Sequence, residues 1–84
     1  MSFSQPVRVT ALRGRVTQGI YGEGTKSERV AVFIKTDDNR YLLRRKIGPA
    51  FDDLELKQYI GHEVECDGFL IGTTLLAERI EIAN

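Results

Sequence analysis

The chain has one cysteine, one histidine, two prolines and no tryptophan in 84 residues. A lone cysteine, Cys66, excludes an internal disulfide framework and fits a reducing compartment. With His62 it also leaves too few soft ligands for a structural zinc site, which usually wants four. The longest uninterrupted apolar run, Val30–Ile34, falls far short of the ~20 residues that cross a bilayer. Met1–Pro6 lacks the basic stretch and apolar core of a signal peptide, so the expectation is a cytoplasmic protein with no membrane association. Repeats, low-complexity segments and linkers are absent. The expected organisation is a flexible tail over residues 1–6 and one domain over residues 7–84.

Catalysis is poorly provided for. His62 and Cys66 lie four residues apart, ~13 Å on an extended strand, too far for a thiol–imidazole dyad. Asp37-Asp38 and Asp52-Asp53 read as turn and helix-cap residues rather than metal ligands. The segment from Gly19 to Ser27 has a Walker-like look, but Thr25 separates Gly24 from Lys26, and a strand follows instead of the helix a phosphate cradle needs. The reading is therefore a non-catalytic module with no cofactor and no metal.

Net charge is also lacking, with twelve basic side chains set against twelve acidic ones. The zero is made of two large numbers. Residues 1–46 carry ten basic and four acidic side chains, a net +6; residues 47–84 carry two basic and eight acidic, a net −6. Screening acts over ~8 Å at physiological salt. If the halves segregate in space, as this pattern leads one to expect, a ligand at the positive face does not sense the negative one.

What is present is strand-forming alternation. Val7, Val9 and Ala11 alternate with Arg8 and Thr10; the phase then slips so that Leu12, Gly14 and Val16 become the apolar set. A one-residue slip with a glycine inside a strand predicts a bulge or sharp bend. Gly19, Gly22 and Gly24 predict a flexible loop holding Ile20, Tyr21, Thr25 and Lys26. In the second strand Val30, Val32 and Ile34 point inward, and Arg29, Ala31, Phe33 and Lys35 outward. Thr36-Asp37-Asp38-Asn39 is a turn with Asn39 suited to a left-handed conformation. The third strand, Arg40–Ile47, places Tyr41 and Leu43 inward and Arg40, Leu42, Arg44 and Lys46 outward.

A short helix follows, with Asp52 as N-cap, Glu55 completing a capping box, Phe51 and Leu56 forming a hydrophobic staple, and Gly61 ending it. The fourth strand turns Val64 and Cys66 inward and Glu63, Glu65 and Asp67 outward. Gly72-Thr73 makes a hairpin loop. The last strand, Thr74–Ile82, has Leu76, Ile80 and Ile82 on its inward phase. Arg45 and Glu78 both fall on inward phases, where a lone charge is costly, so they are expected to pair.

This order is a long bent strand, a glycine-rich loop, a hairpin, a short helix and a second hairpin. It resembles the OB fold, a five-stranded Greek-key barrel that binds oligonucleotides or oligosaccharides. The resemblance spans residues 7–82 and rests on pattern alone. It implies an all-β, five-stranded OB-like barrel with one short helix between strands three and four. It also implies ligand binding across strands two and three, beside the first-to-second and fourth-to-fifth loops.

On that fold the outward phases of the first three strands gather Arg13, Arg15, Arg29, Lys35, Arg40, Arg44 and Lys46, with Phe33 among them and Tyr21 and Lys26 in the flanking loop. Cations tracking phosphates while aromatics stack bases is how single-stranded nucleic acid is held. Single-stranded DNA or RNA is therefore the leading expected partner. Arg13, Arg15, Arg44 and Lys46 would contact phosphates and Phe33 and Tyr21 would stack. The rival reading takes Phe33, Leu42, Phe69 and Ile71 as an exposed apolar patch ringed by arginine, which marks an interface with another protein or a second copy. A small-molecule or sugar binder is the lesser alternative.

Overall fold

The structure, a computed structural model, describes residues 5–22, 24–26, 28–48 and 53–83. Five strands form one sheet that closes on itself: β1 (Val7–Tyr21), β2 (Arg29–Lys35), β3 (Arg40–Arg45), β4 (Glu63–Ile71) and β5 (Thr74–Ile82), with a short helix α1 (Leu54–Lys57) between β3 and β4. The order around the barrel is β1-β2-β3-β5-β4. All pairs are antiparallel except β3–β5, the parallel seam that closes the ring. Alternation along every strand sends one phase into a core built from Val16, Val32, Ile34, Leu43, Leu56, Val64, Cys66, Leu75 and Ala77. The all-β, five-stranded barrel with one short helix is thus the architecture found.

The phase slip in β1 is a real irregularity. The β1–β4 register shifts between Val9 and Leu12, and Ala11 adopts φ +55°, a value L-residues seldom take. Gly14 then lies flat against β2, where an added Cβ would meet Lys35 O and Ile34 Cγ1 at 2.7 Å. Only a glycine lets the strands approach so closely there.

Several expectations need correction. β1 runs on through Gly19 to Tyr21, which pairs with Arg29, so the first-to-second loop begins at Gly22 and Tyr21 belongs to a strand. β3 ends at Arg45 rather than Ile47. Asn39 is not left-handed; Thr36 Oγ1 instead accepts the amides of Asp38 and Asn39 and holds the turn.

In β5 the inward residues are Leu75 and Ala77, not Leu76. A second register shift at Asp67/Gly68 leaves Glu78 as the extra residue and restores Ile80 to the core side. The helix N-cap is Asp53, whose carboxylate accepts the Glu55 amide at 3.0 Å. The expected cap Asp52 and staple residue Phe51 lie outside the described residues.

Candidate functional site

Strand pairing decides which of the sequence's cations stay on a basic face. β4 lies beside β1, so the acidic outward row of β4 faces the arginines of β1: Arg13 opposes Glu65 and Arg15 opposes Glu63. Arg13 reaches Glu63 at 3.8 Å and Glu65 at 3.7 Å. The +6 and −6 halves therefore do not segregate along this seam, and Arg13 leaves the expected phosphate-binding set.

Lys46 leaves it too. Its ammonium donates to Glu78 at 2.8 Å, and Glu78 also accepts from Arg8 at 3.1 Å. Both cations lie over the Phe69 ring, at 5.2 Å for Arg8 and 6.0 Å for Lys46. These contacts hold the Glu78 carboxyl below its usual range, the Lys46 hydrogen bond being the main cause.

The expected Arg45–Glu78 pair does not form. Arg45 Nε and Nη2 instead bond the two oxygens of Asp53 at 2.7 and 3.0 Å. The reason is the β5 bulge, which turns Glu78 outward toward Arg8 and Lys46, while the helix start brings a buried carboxylate to Arg45. The guanidinium is the chief influence lowering the Asp53 pKa, against the opposing effect of burial.

What remains is the outer face of residues 15–21 of β1 with β2 and β3. In register across it run Arg15, Lys35 and Arg40, then Thr17, Phe33 and Leu42, with Tyr21 opposite Arg29 at the far end. None of the outward positions on these three segments is a carboxylate. Arg15 donates to the Gly61 carbonyl at 2.8 Å, which fixes the side chain without cancelling its charge. Lys26 is exposed in the loop that follows β1.

The aromatics differ from expectation. Phe33 does point outward, yet it is only 5% exposed. The Arg40 guanidinium covers its ring at 4.2 Å, and the ring lies over Gly19, where an added Cβ would sit 3.2 Å from it. Phe33 cannot stack a base directly; Arg40 presents the outer plane of that stack. Tyr21 is 40% exposed, with Arg29 at 5.1 Å from its ring. The apolar patch of the rival reading is divided in the same way. Phe33 and Phe69 lie under cations, Leu42 is half-buried, and Ile71 is exposed.

Sequence reasoning missed a cleft. β2–β3 pairing stops at Phe33 opposite Leu42; residues 29–32 continue along β1 while Leu43–Arg45 continue along β5. The splay opens a cavity of about 300 Å³ whose lining includes Ala31 and Arg44 of the outer face and Leu56 of the helix. No local pattern in the sequence marks it.

Cys66 is fully buried, and that burial pushes its thiol up to about 12. Such a group is no nucleophile near neutral pH. Compared with known protein families, curated proteins and solved structures, the chain gives no match.

Proposed function

We propose that the outer face of β1–β2–β3 binds single-stranded nucleic acid without catalysis. The observation that carries this reading is the in-register row Arg15–Lys35–Arg40. Like charges directly opposite one another on a sheet are destabilising. The neighbouring seam avoids that cost by setting Arg13 against Glu65 and Arg15 against Glu63. Lys35 and Arg40, which have no carboxylate in register with them, make sense where a polyanion supplies the missing charge.

The Arg40–Phe33 and Arg29–Tyr21 stacks add planar surfaces at two levels of the same face, and a base stacks on a guanidinium plane as it does on an aromatic ring. Element order and barrel closure support an OB-like relationship, whose usual binding face is this one. Relative to the sequence reading, Arg13 and Lys46 drop out. The working set is Arg15, Tyr21, Lys26, Arg29, Lys35, Arg40 and Arg44, with Phe33 as the support beneath Arg40.

Fluorescence anisotropy with labelled single-stranded DNA and RNA tests the reading. Wild type should bind at ~50 mM salt and lose affinity at ~200 mM. Lys35→Glu should weaken binding at least tenfold, whereas Arg13→Glu should change it much less. Absence of binding at the lower salt would refute the proposal. If a protein or a second copy is the true partner, sedimentation or pull-down will respond to changes at the exposed Ile20 and Val30 while oligonucleotide binding stays absent.

A further inference from the structure

The cleft between β2 and β3 offers a second kind of contact, one that depends on the proposed strand-binding face. Its lining includes Arg29, Ala31 and Arg44, outward residues of that same face. The aliphatic side chains of Val30, Val32, Leu43 and Leu56 line it as well, and of these Val32, Leu43 and Leu56 are buried. The Nε of Arg44, one of the lining residues, is buried without a hydrogen-bond partner. A buried donor left unpaired costs free energy, so an acceptor belongs beside it. Gln18 also lines the cleft and brings an amide that both donates and accepts. Asp53, the carboxylate on the wall, is occupied by Arg45 and the helix start.

The occupant these features describe is flat, apolar on its faces and polar along its edge, and joined to an anionic backbone that stays outside on the cations. We infer that the β2–β3 cleft receives a single nucleobase of the bound strand, with guanine preferred. Guanine presents O6 and N7 as acceptors, to which arginine is the commonest specific partner, and its N1 and N2 hydrogens suit the Gln18 carbonyl. A volume of about 300 Å³ sits at the small end of ligand pockets, which fits one base and excludes a longer segment. Splaying of two strands then acquires a use: it admits a base between them while phosphates stay on the Arg15–Lys35–Arg40 side.

Mononucleotide titration of the isotope-labelled protein, followed through its backbone amide signals, provides the test. Guanosine 5′-monophosphate should shift the amides of residues 30–32, 43 and 44, and bind about fivefold or more tightly than the cytidine equivalent. Arg44→Met should erase that ratio, and Ala31→Trp, which adds bulk to the cleft lining, should abolish the shifts in the cleft. Ala31→Trp should keep the salt dependence of oligonucleotide binding, and a native-like amide spectrum for either variant validates the comparison. Cleft amides that stay still under all four mononucleotides, with strand binding intact, overturn the base pocket alone. Equal affinity for all four overturns the guanine preference. Failure of both mononucleotide and strand binding overturns the pocket together with the reading it rests on.

Discussion

The carboxylate of Asp67 accepts the main-chain N–H of Ala11 at 2.7 Å, at the place where the β1–β4 register slips. Ala11 is the one non-glycine residue with positive φ among the described residues, and this bond occupies an amide that the interrupted ladder leaves over. The second carboxylate oxygen accepts from Arg79 Nε at 2.7 Å. Arg79 also reaches Glu65 and Glu81. One aspartate thus ties the bulge of β1 to β4 and β5.

The Asp67 carboxyl is held down to about 2, chiefly by the Arg79 hydrogen bond and then by the Ala11 amide. A depressed carboxylate stabilises the fold above its unfolded value of ~3.9 and loses that effect as pH falls toward the folded value. Thermal stability should therefore drop between about pH 4 and pH 2. Asp67→Asn should lower the melting temperature at pH 7 and flatten that acid limb. Melting curves from pH 2 to pH 7 check both, and an Asn variant with the wild-type acid limb would show that other carboxylates set it.

Asp53 both caps the helix and pairs with Arg45. Asp53→Ala removes both roles. Loss of the cap alone costs about 1 kcal/mol, or roughly 4–8 °C in a domain of this size. Asn keeps the cap but loses the charge, so Asp53→Asn should melt between wild type and Ala. Scanning calorimetry at pH 7 distinguishes the three, and an Asn variant no better than Ala would place the whole effect in the ion pair.

Gly68 stands where β4 meets the bulge of β5. A Cβ added there would lie 2.1 Å from Leu76 O and 2.9 Å from Ala77 Cα. Both obstacles are backbone and cannot rotate away, so Gly68→Ala should destabilise by about 1–3 kcal/mol or more. Gly72, at φ +61° with nothing near its added Cβ, carries only the conformational penalty. Urea denaturation should rank Gly68→Ala below Gly72→Ala in stability.

Burial at Cys66 makes the thiol a reporter of unfolding. With a pKa near 12, only ~10⁻⁴ of it is thiolate at pH 8, against a substantial fraction for an unfolded thiol near 8.5. A disulfide reagent should leave the native protein almost unlabelled and react in proportion to the unfolded population across a urea series. Rapid labelling without urea would mean local opening of β4.

Strand phase in the first four strands was readable from side-chain alternation, including the bulge in β1, because a misplaced phase moves a whole apolar set to solvent. The β5 bulge was not readable. Its glycine sits on the partner strand, at Gly68, and the run Leu75-Leu76-Ala77 offers an apolar side chain to either phase. That single ambiguity misplaced Glu78, and with it the partner of Arg45. Phe33 shows a different limit: alternation gave its direction, but its cover comes from Arg40, a diagonal neighbour on β3, and exposure depends on such cross-strand reach. Charge segregation failed along the β1–β4 seam because strand order sets β4 beside β1, a long-range pairing that no local pattern encodes.

The salt dependence of oligonucleotide affinity tests the central claim most directly. For single strands the slope of log K against log salt is about −0.7 per phosphate contact. A row of three cations predicts about −2 or steeper. Neutralising Lys35 and Arg40 together, as Lys35→Gln and Arg40→Gln, should reduce its magnitude by about 1.4, while Arg13→Gln leaves it unchanged. A slope near zero, or one that ignores the Lys35 and Arg40 changes, would contradict the assignment of this face.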